Sequence, residues 1–188
     1  MTVLLASGSP RRRELLGRLG IAFDVASPDV DETPRSGEHP ATYVSRLALD
    51  KVAAVPAADD VLVIAADTTV EVDGAVFEKP VDADDARRML GALSHRTHRV
   101  QTGVAVRLGE RSAHDVVSTD VTFVALSSAT IDWYVATGEP MDKAGAYALQ
   151  GAGAVLVSAV HGSVSNVIGL PLAELLGLAT RVGRPLIP

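Results

Sequence analysis

Residues 61–79, VLVIAADTTVEVDGAVFEK, constrain the fold more than any other stretch of this chain. The run 61–66 is unbroken, apolar and rich in β-branched side chains, too short for a buried helix and without the alternation of a half-exposed strand. A strand covered on both faces fits it, and such strands belong to sheets with helices packed on either side. The run ends at Asp67, followed by the hydroxyls of Thr68 and Thr69. The expectation is a carboxylate at the carboxyl end of the strand, the edge of an α/β sheet where ligands bind. Val70 and Val72 then alternate into Asp73-Gly74, a type I′ turn signal, and Val76 and Phe77 return. That hairpin is expected to bring Glu78 and Lys79 toward Asp67. On this segment alone Asp67 has two readings: a turn cap or a catalytic carboxylate.

The start of the chain presents a conflict of charges. Residues 3–6 read as a short strand, Ser7-Gly8-Ser9-Pro10 as a turn, and residues 10–19 as a helix with Ser9 as N-cap, Pro10 at N1 and Gly20 as its stop. Arg11, Arg12 and Arg13 occupy the first turn, where the helix dipole favours anions. Three cations there destabilise the helix unless an anion sits beside them, and the turn supplies backbone N–H donors of the kind that cradle phosphate. The other reading is an arginine-rich solvated face.

Residues 23–26 read as a second strand and 27–39 as a long polar loop carrying Asp31 and Glu32, oxygen donors suited to a divalent cation or simply solvated. In the helix expected over 40–55, Tyr43, Val44, Leu47, Ala48 and Val52 keep helical spacing, which puts Arg46 and Lys51 on the polar side or its border. Asp82 is expected to cap a helix through Leu93, residues 98–108 and 114–126 to form β structure, and Ser127 or Ser128 to start a helix ending at Gly138. Residues 139–153 read as a loop in which Tyr147 offers a stacking face and Gln150 an amide able to read a base edge. A strand over 155–160, a polar turn over 162–169 and a helix over 171–181 close a mixed α/β chain.

Composition narrows the chemistry. There is no cysteine, so disulfides, thiolate metal sites and Cys nucleophiles are excluded. A formal charge of −6 argues against broad nucleic-acid binding, so any phosphate site must be a local concentration of base. No stretch has the length of a membrane span, the N-terminus does not read as a secretory signal, and the expected location is cytoplasmic. His95 and His98 lack a third nitrogen ligand at metal-site spacing.

Seven blocks, LLASGSPRRRELL, DET, RLALDK, AADTTVEVDG with EKP, LSHRTHRVQTGVAV, GEPMDKAGAYALQG and HGSVSNVIGLPL, stand in the order found in the Maf family. The chain resembles that family over nearly its whole length, as one domain covering residues 1–188. The resemblance implies a fold similar to that of inosine triphosphate pyrophosphatases: a long curved mixed sheet with flanking helices in two lobes around a cleft. It implies hydrolysis of a nucleoside triphosphate between the α and β phosphates, with Mg²⁺ or Mn²⁺, to the monophosphate and pyrophosphate. A nucleotide-binding regulator of septum formation without essential turnover is the alternative.

By the same resemblance Asp67 is the proton acceptor, Glu32 and Asp67 hold the metal, and Ser7, Arg11, Arg12, Lys51, Thr68, Lys79 and Gln150 bind substrate. Arg11, Thr68 and Gln150 match positions tied to substrate choice. The tail YALQGAGAVLVSAVHGSVSNVIGLPL is similar to the branch acting on dTTP and UTP rather than on 7-methyl-GTP. The implied partner is the nucleotide, with no nucleic acid and no membrane, in a family whose members are often homodimers. Two departures stand out: Ala65 and His95, each where glycine is common in relatives.

Overall fold

The computed structural model describes residues 2–188. The strands are β1 (Val3–Ala6), β2 (Asp24–Ala26), β3 (Leu62–Val72), β4 (Ala75–Phe77), β5 (Thr97–Leu108), β6 (Arg111–Phe123) and β7 (Val157–His161). The helices are α1 (Pro10–Gly17), α2 (Pro40–Ala54), α3 (Ala83–Leu93), α4 (Ser128–Ala136), α5 (Val164–Ile168) and α6 (Leu172–Arg181). Among the described residues, one seven-stranded mixed sheet has the order β2-β1-β3-β5-β6-β7, with β4 paired to β3. No described helix is long and apolar enough to cross a membrane.

The chain divides into two compact units. The first comprises residues up to Asp67, Thr102–Val117 and Gly169–Pro188. In it β1 runs parallel to β2 and to the start of β3, with Leu5 opposite both Val25 and Ile64. Leu62, Val63 and Ile64 are wholly buried, as an unbroken apolar run requires. The stripe of Tyr43, Val44, Leu47, Ala48 and Val52 turns α2 inward. A side chain on Gly103 of β5 would overlap the Val44 carbonyl, so the approach of helix to strand depends on a bare Cα there. Arg107 donates to the Val52 and Val55 carbonyls at 3.3 and 2.7 Å, closing the end of α2.

The second unit comprises Thr68–Gln101 and Ser118–Ile168. Its core gathers Val70, Phe77, Met89, Leu90, Leu93, Val121, Phe123, Tyr134, Tyr147 and Leu156. Positive φ at Asp73 and Gly74, 53° and 79°, gives the hairpin between β3 and β4 the turn that its sequence specifies. Asp82 caps α3 by accepting from the Asp85 N–H, and Ser127 caps α4 by accepting from Thr130.

Several expectations need correction. Asp67 does not end its strand: the ladder of β3 with β1 is registered through Ile64 and the hairpin ladder takes over at Val70, so the backbone stays extended through Asp67. Lys51, expected on the polar side of α2 or its border, is buried, because a carboxylate is there to receive it. α1 stops at Gly17, and the Ser9 side chain makes no cap; its N–H donates to the Ser7 hydroxyl instead. The polar turn over 162–169 contains α5, and the 139–153 loop is shaped by three short 3-10 turns. Tyr147 offers no stacking face: it is buried and bonded to His98.

Candidate active site

The first unit assembles a small ionic cluster from three kinds of element. β3 supplies Asp67, α2 supplies Lys51, and the segment between β2 and α2 supplies Glu32. Lys51 Nζ lies 2.6 Å from Asp67 Oδ1 and 2.6 Å from Glu32 Oε1, so one ammonium joins both carboxylates. The lysine and aspartate side chains are 9% and 12% exposed, whereas that of Glu32 is 54% exposed. Two groups are therefore fixed in a largely dry setting and the third faces water, where a ligand can reach it. A buried ion pair of this kind is strongly destabilised when one partner is removed, by about 3–5 kcal/mol.

α1 adds the arginines. Arg12 Nε donates to the Gly169 carbonyl at 2.8 Å, and Nη1 to Ser7 Oγ at 3.3 Å. Burial pulls the Arg12 guanidinium below its usual value, opposed by the charges of Asp67 and Glu32 and reinforced by that of Arg11. Ser7 is itself buried, and its oxygen also accepts from the Ser9 N–H at 3.2 Å, which fixes the turn at the head of the helix. No acidic residue occupies the first turn of α1. The structure thus brings Asp67, Glu32, Lys51, Arg12 and Ser7 together, with Arg11 half-buried beside Arg12.

Thr68, Lys79 and Gln150 belong to the second unit. Thr68 is half-buried on β3, Lys79 is exposed just after β4, and Gln150 is half-buried at a bend. The bend is organised by Glu139, which sequence reasoning left without a role. Its carboxylate accepts from the Tyr134 hydroxyl at 2.8 Å and from the N–H groups of Ala152 and Gly153 at 2.9 and 3.0 Å. Burial works against the charge, but the Gly153 and Ala152 N–H groups, the Tyr134 hydroxyl and the charge of Lys143 together outweigh it and hold the carboxyl below its ordinary range. Gly151, at φ 86°, could not carry a side chain without meeting Glu139 Oε2. The only signal for this in the sequence is an acid ahead of a glycine-rich turn.

A cation's fit can be judged from the donor set. Asp67 and Glu32 are hard oxygen donors drawn together by one shared ammonium. No group of three or more His, Asp or Glu side chains suited to a metal occurs among the described residues. Two carboxylates fit a cation such as Mg²⁺, which completes its shell with water and substrate phosphates rather than with a protein cage.

A family model described as Maf-like protein matches residues 2–182. A dTTP/UTP pyrophosphatase of Anaeromyxobacter dehalogenans (strain 2CP-C) is 55% identical over 188 residues, covering 98% of this chain and 95% of its own. A dTTP/UTP pyrophosphatase of Myxococcus xanthus (strain DK1622) is 52% identical over 185 residues, covering 98% and 94%. Among solved structures, the Staphylococcus aureus Ham1 protein matches with a TM-score of 0.46 at 16% identity, over 65% of this chain and 72% of its own.

Proposed function

The chain belongs to the Maf-like protein family, and from that premise we propose that it is a nucleoside triphosphate pyrophosphatase acting on dTTP, UTP and related pyrimidine nucleotides. It cleaves the bridge between the α and β phosphates with the help of a divalent cation, Mg²⁺ or Mn²⁺, and releases the monophosphate and pyrophosphate. The observation that carries this reading is the Lys51 ammonium at 2.6 Å from both Asp67 and Glu32, beside the arginine-bearing start of α1. The names of the curated relatives support the choice of base.

In this mechanism Asp67 takes the proton of the attacking water as the water oxygen joins phosphorus. The α–β bridging bond breaks, and its electron pair departs with the bridging oxygen. Lys51 holds Asp67 and Glu32 side by side against their repulsion and fixes the Asp67 carboxylate through Oδ1. Arg12, Arg11 and Ser7 receive phosphate oxygens at the head of α1, where charge compensation and alignment do most of the work of phosphoryl transfer. Asp67 and Glu32 would hold the cation, which supplies charge to polarise the phosphoryl oxygens. Thr68 and Gln150, with Arg11, select the nucleotide, and Lys79 adds positive charge. Residues 1–188 act as one enzymatic domain.

Pyrophosphate release from dTTP, UTP, CTP, GTP and 7-methyl-GTP, with and without Mg²⁺ or Mn²⁺, tests the reading. The expected result is metal-dependent release fastest with dTTP and UTP. No release from any nucleotide would overturn it.

A further inference from the structure

Glu32 stands on residues 27–39, which contain no helix or strand, yet its carboxylate meets Lys51 at 2.6 Å. The grip comes from α2. Arg46 donates from Nε to Glu38 Oε1 and from Nη2 to Glu38 Oε2, each at 2.8 Å, a two-pronged fork on one carboxylate. The same guanidinium reaches the Thr33 carbonyl at 3.2 Å and the Asp31 carbonyl at 3.4 Å. The carbonyl between them is that of Glu32, and it accepts from the Tyr43 hydroxyl at 2.9 Å. Arg46 also lies over the Tyr43 ring, 5.5 Å from its centroid. Three consecutive main-chain oxygens, at Asp31, Glu32 and Thr33, are thus bound by two side chains of α2, the helix that carries Lys51.

We propose that Arg46 and Tyr43 are positioning residues that set the Glu32 carboxylate beside Lys51 and Asp67 by holding the main-chain oxygens on and around it. The inference rests on the role given above to Glu32. Without this grip the segment samples many backbone states, and a group displaced by about 1 Å from a catalytic arrangement can cost about a hundredfold in rate. The fork stays ionised through neutral pH: hydrogen bonds first from Arg46 and then from the Arg35 N–H pull Glu38 down to about 2. A tie serving stability alone would leave a different signature, because its loss would add to the loss of Glu32 rather than overlap with it.

The test is a double-mutant cycle on pyrophosphate release from dTTP with Mn²⁺, combining Arg46→Met or Tyr43→Phe with Glu32→Gln, alongside thermal melts. Each positioning variant alone should lower kcat/KM about tenfold, and should add less than about twofold once Glu32 is Gln. Arg46→Lys should not restore activity, since an ammonium cannot span the fork. Equal fold-losses in both backgrounds would overturn the inference. Tyr43→Phe, which removes one hydroxyl, serves if Arg46→Met folds poorly. A wild type that releases no pyrophosphate sinks the functional reading instead, and amide exchange at residues 31–33 then decides the clasp. Faster exchange in the variants supports it, and unchanged protection rejects it.

Discussion

His98 Nε2 and the Tyr147 hydroxyl stand 2.8 Å apart in the core of the second unit, while the other imidazole nitrogen, Nδ1, is buried with no hydrogen-bond partner among the described residues. Both rings lie edge-on to Phe123, at centroid distances of 4.9 and 4.8 Å. Burial keeps the imidazole neutral and, against the charge of Asp120, lowers its pKa from 6.5 to about 4.

Between 6.5 and about 4 the unfolded chain binds a proton that the folded chain refuses. The stability is fully present above the unfolded value and is lost as the pH falls toward the folded one. At about 1.4 kcal/mol per unit, the loss is on the order of 3 kcal/mol. Urea midpoints at a series of pH values, for the wild type and His98→Phe, check this. The wild type should lose stability more steeply on acidification, and equal slopes would clear His98 of responsibility.

Asp67→Asn preserves shape but removes the carboxylate proposed above as proton acceptor. Turnover should fall by about a hundredfold or more, the usual contribution of a general base, while nucleotide binding changes far less. Single-turnover pyrophosphate release and equilibrium binding separate the two effects. Near-normal turnover would strip Asp67 of the role.

Glu139→Gln replaces one acceptor oxygen with an amide donor that faces the N–H groups of Ala152 or Gly153. The bend after Gln150 should loosen, so kcat/KM for dTTP relative to GTP should drop more than it does for either nucleotide's metal requirement. A uniform loss across bases, matching the loss in melting temperature, would mean that the bend serves stability alone.

His95 adopts φ 56°, in the left-handed region, and its N–H donates to the Val124 carbonyl at 3.0 Å. A side chain in that conformation costs about 1 kcal/mol that glycine avoids. His95→Gly should therefore raise unfolding stability by up to about 1 kcal/mol, offset in part by the freedom that glycine adds to the unfolded chain. A clear decrease in the urea midpoint would show that the imidazole makes a compensating contact.

What could be read from the sequence was what neighbouring residues decide. The buried strand expected over 61–66, the Asp73-Gly74 turn and the caps at Asp82 and Ser127 each follow from a few adjacent side chains. Helical periodicity puts Lys51 on the polar side of α2 or its border, and only the arrival of Asp67, sixteen residues on, brings it inside. Tyr147 looked available in a glycine-rich loop because His98, its partner, is 49 residues away. Glu139 has no legible role in the sequence for a similar reason: two of its donors, Ala152 and Gly153, lie across a loop whose course no local rule specifies. The Maf resemblance named the charged residues of the first unit, but it gave no hint that one ammonium joins two of them.

Of the three groups in that cluster, Asp67 rides on a strand, Lys51 on a helix and Glu32 on a segment tied down by side chains. Warming loosens such ties before it melts a sheet, since opening a surface segment requires far less free energy than global unfolding. Heat should therefore silence this protein in two stages. Turnover turns down first, while circular dichroism still reports a folded chain, and returns on cooling. Only at the higher melting midpoint does the loss become one of structure.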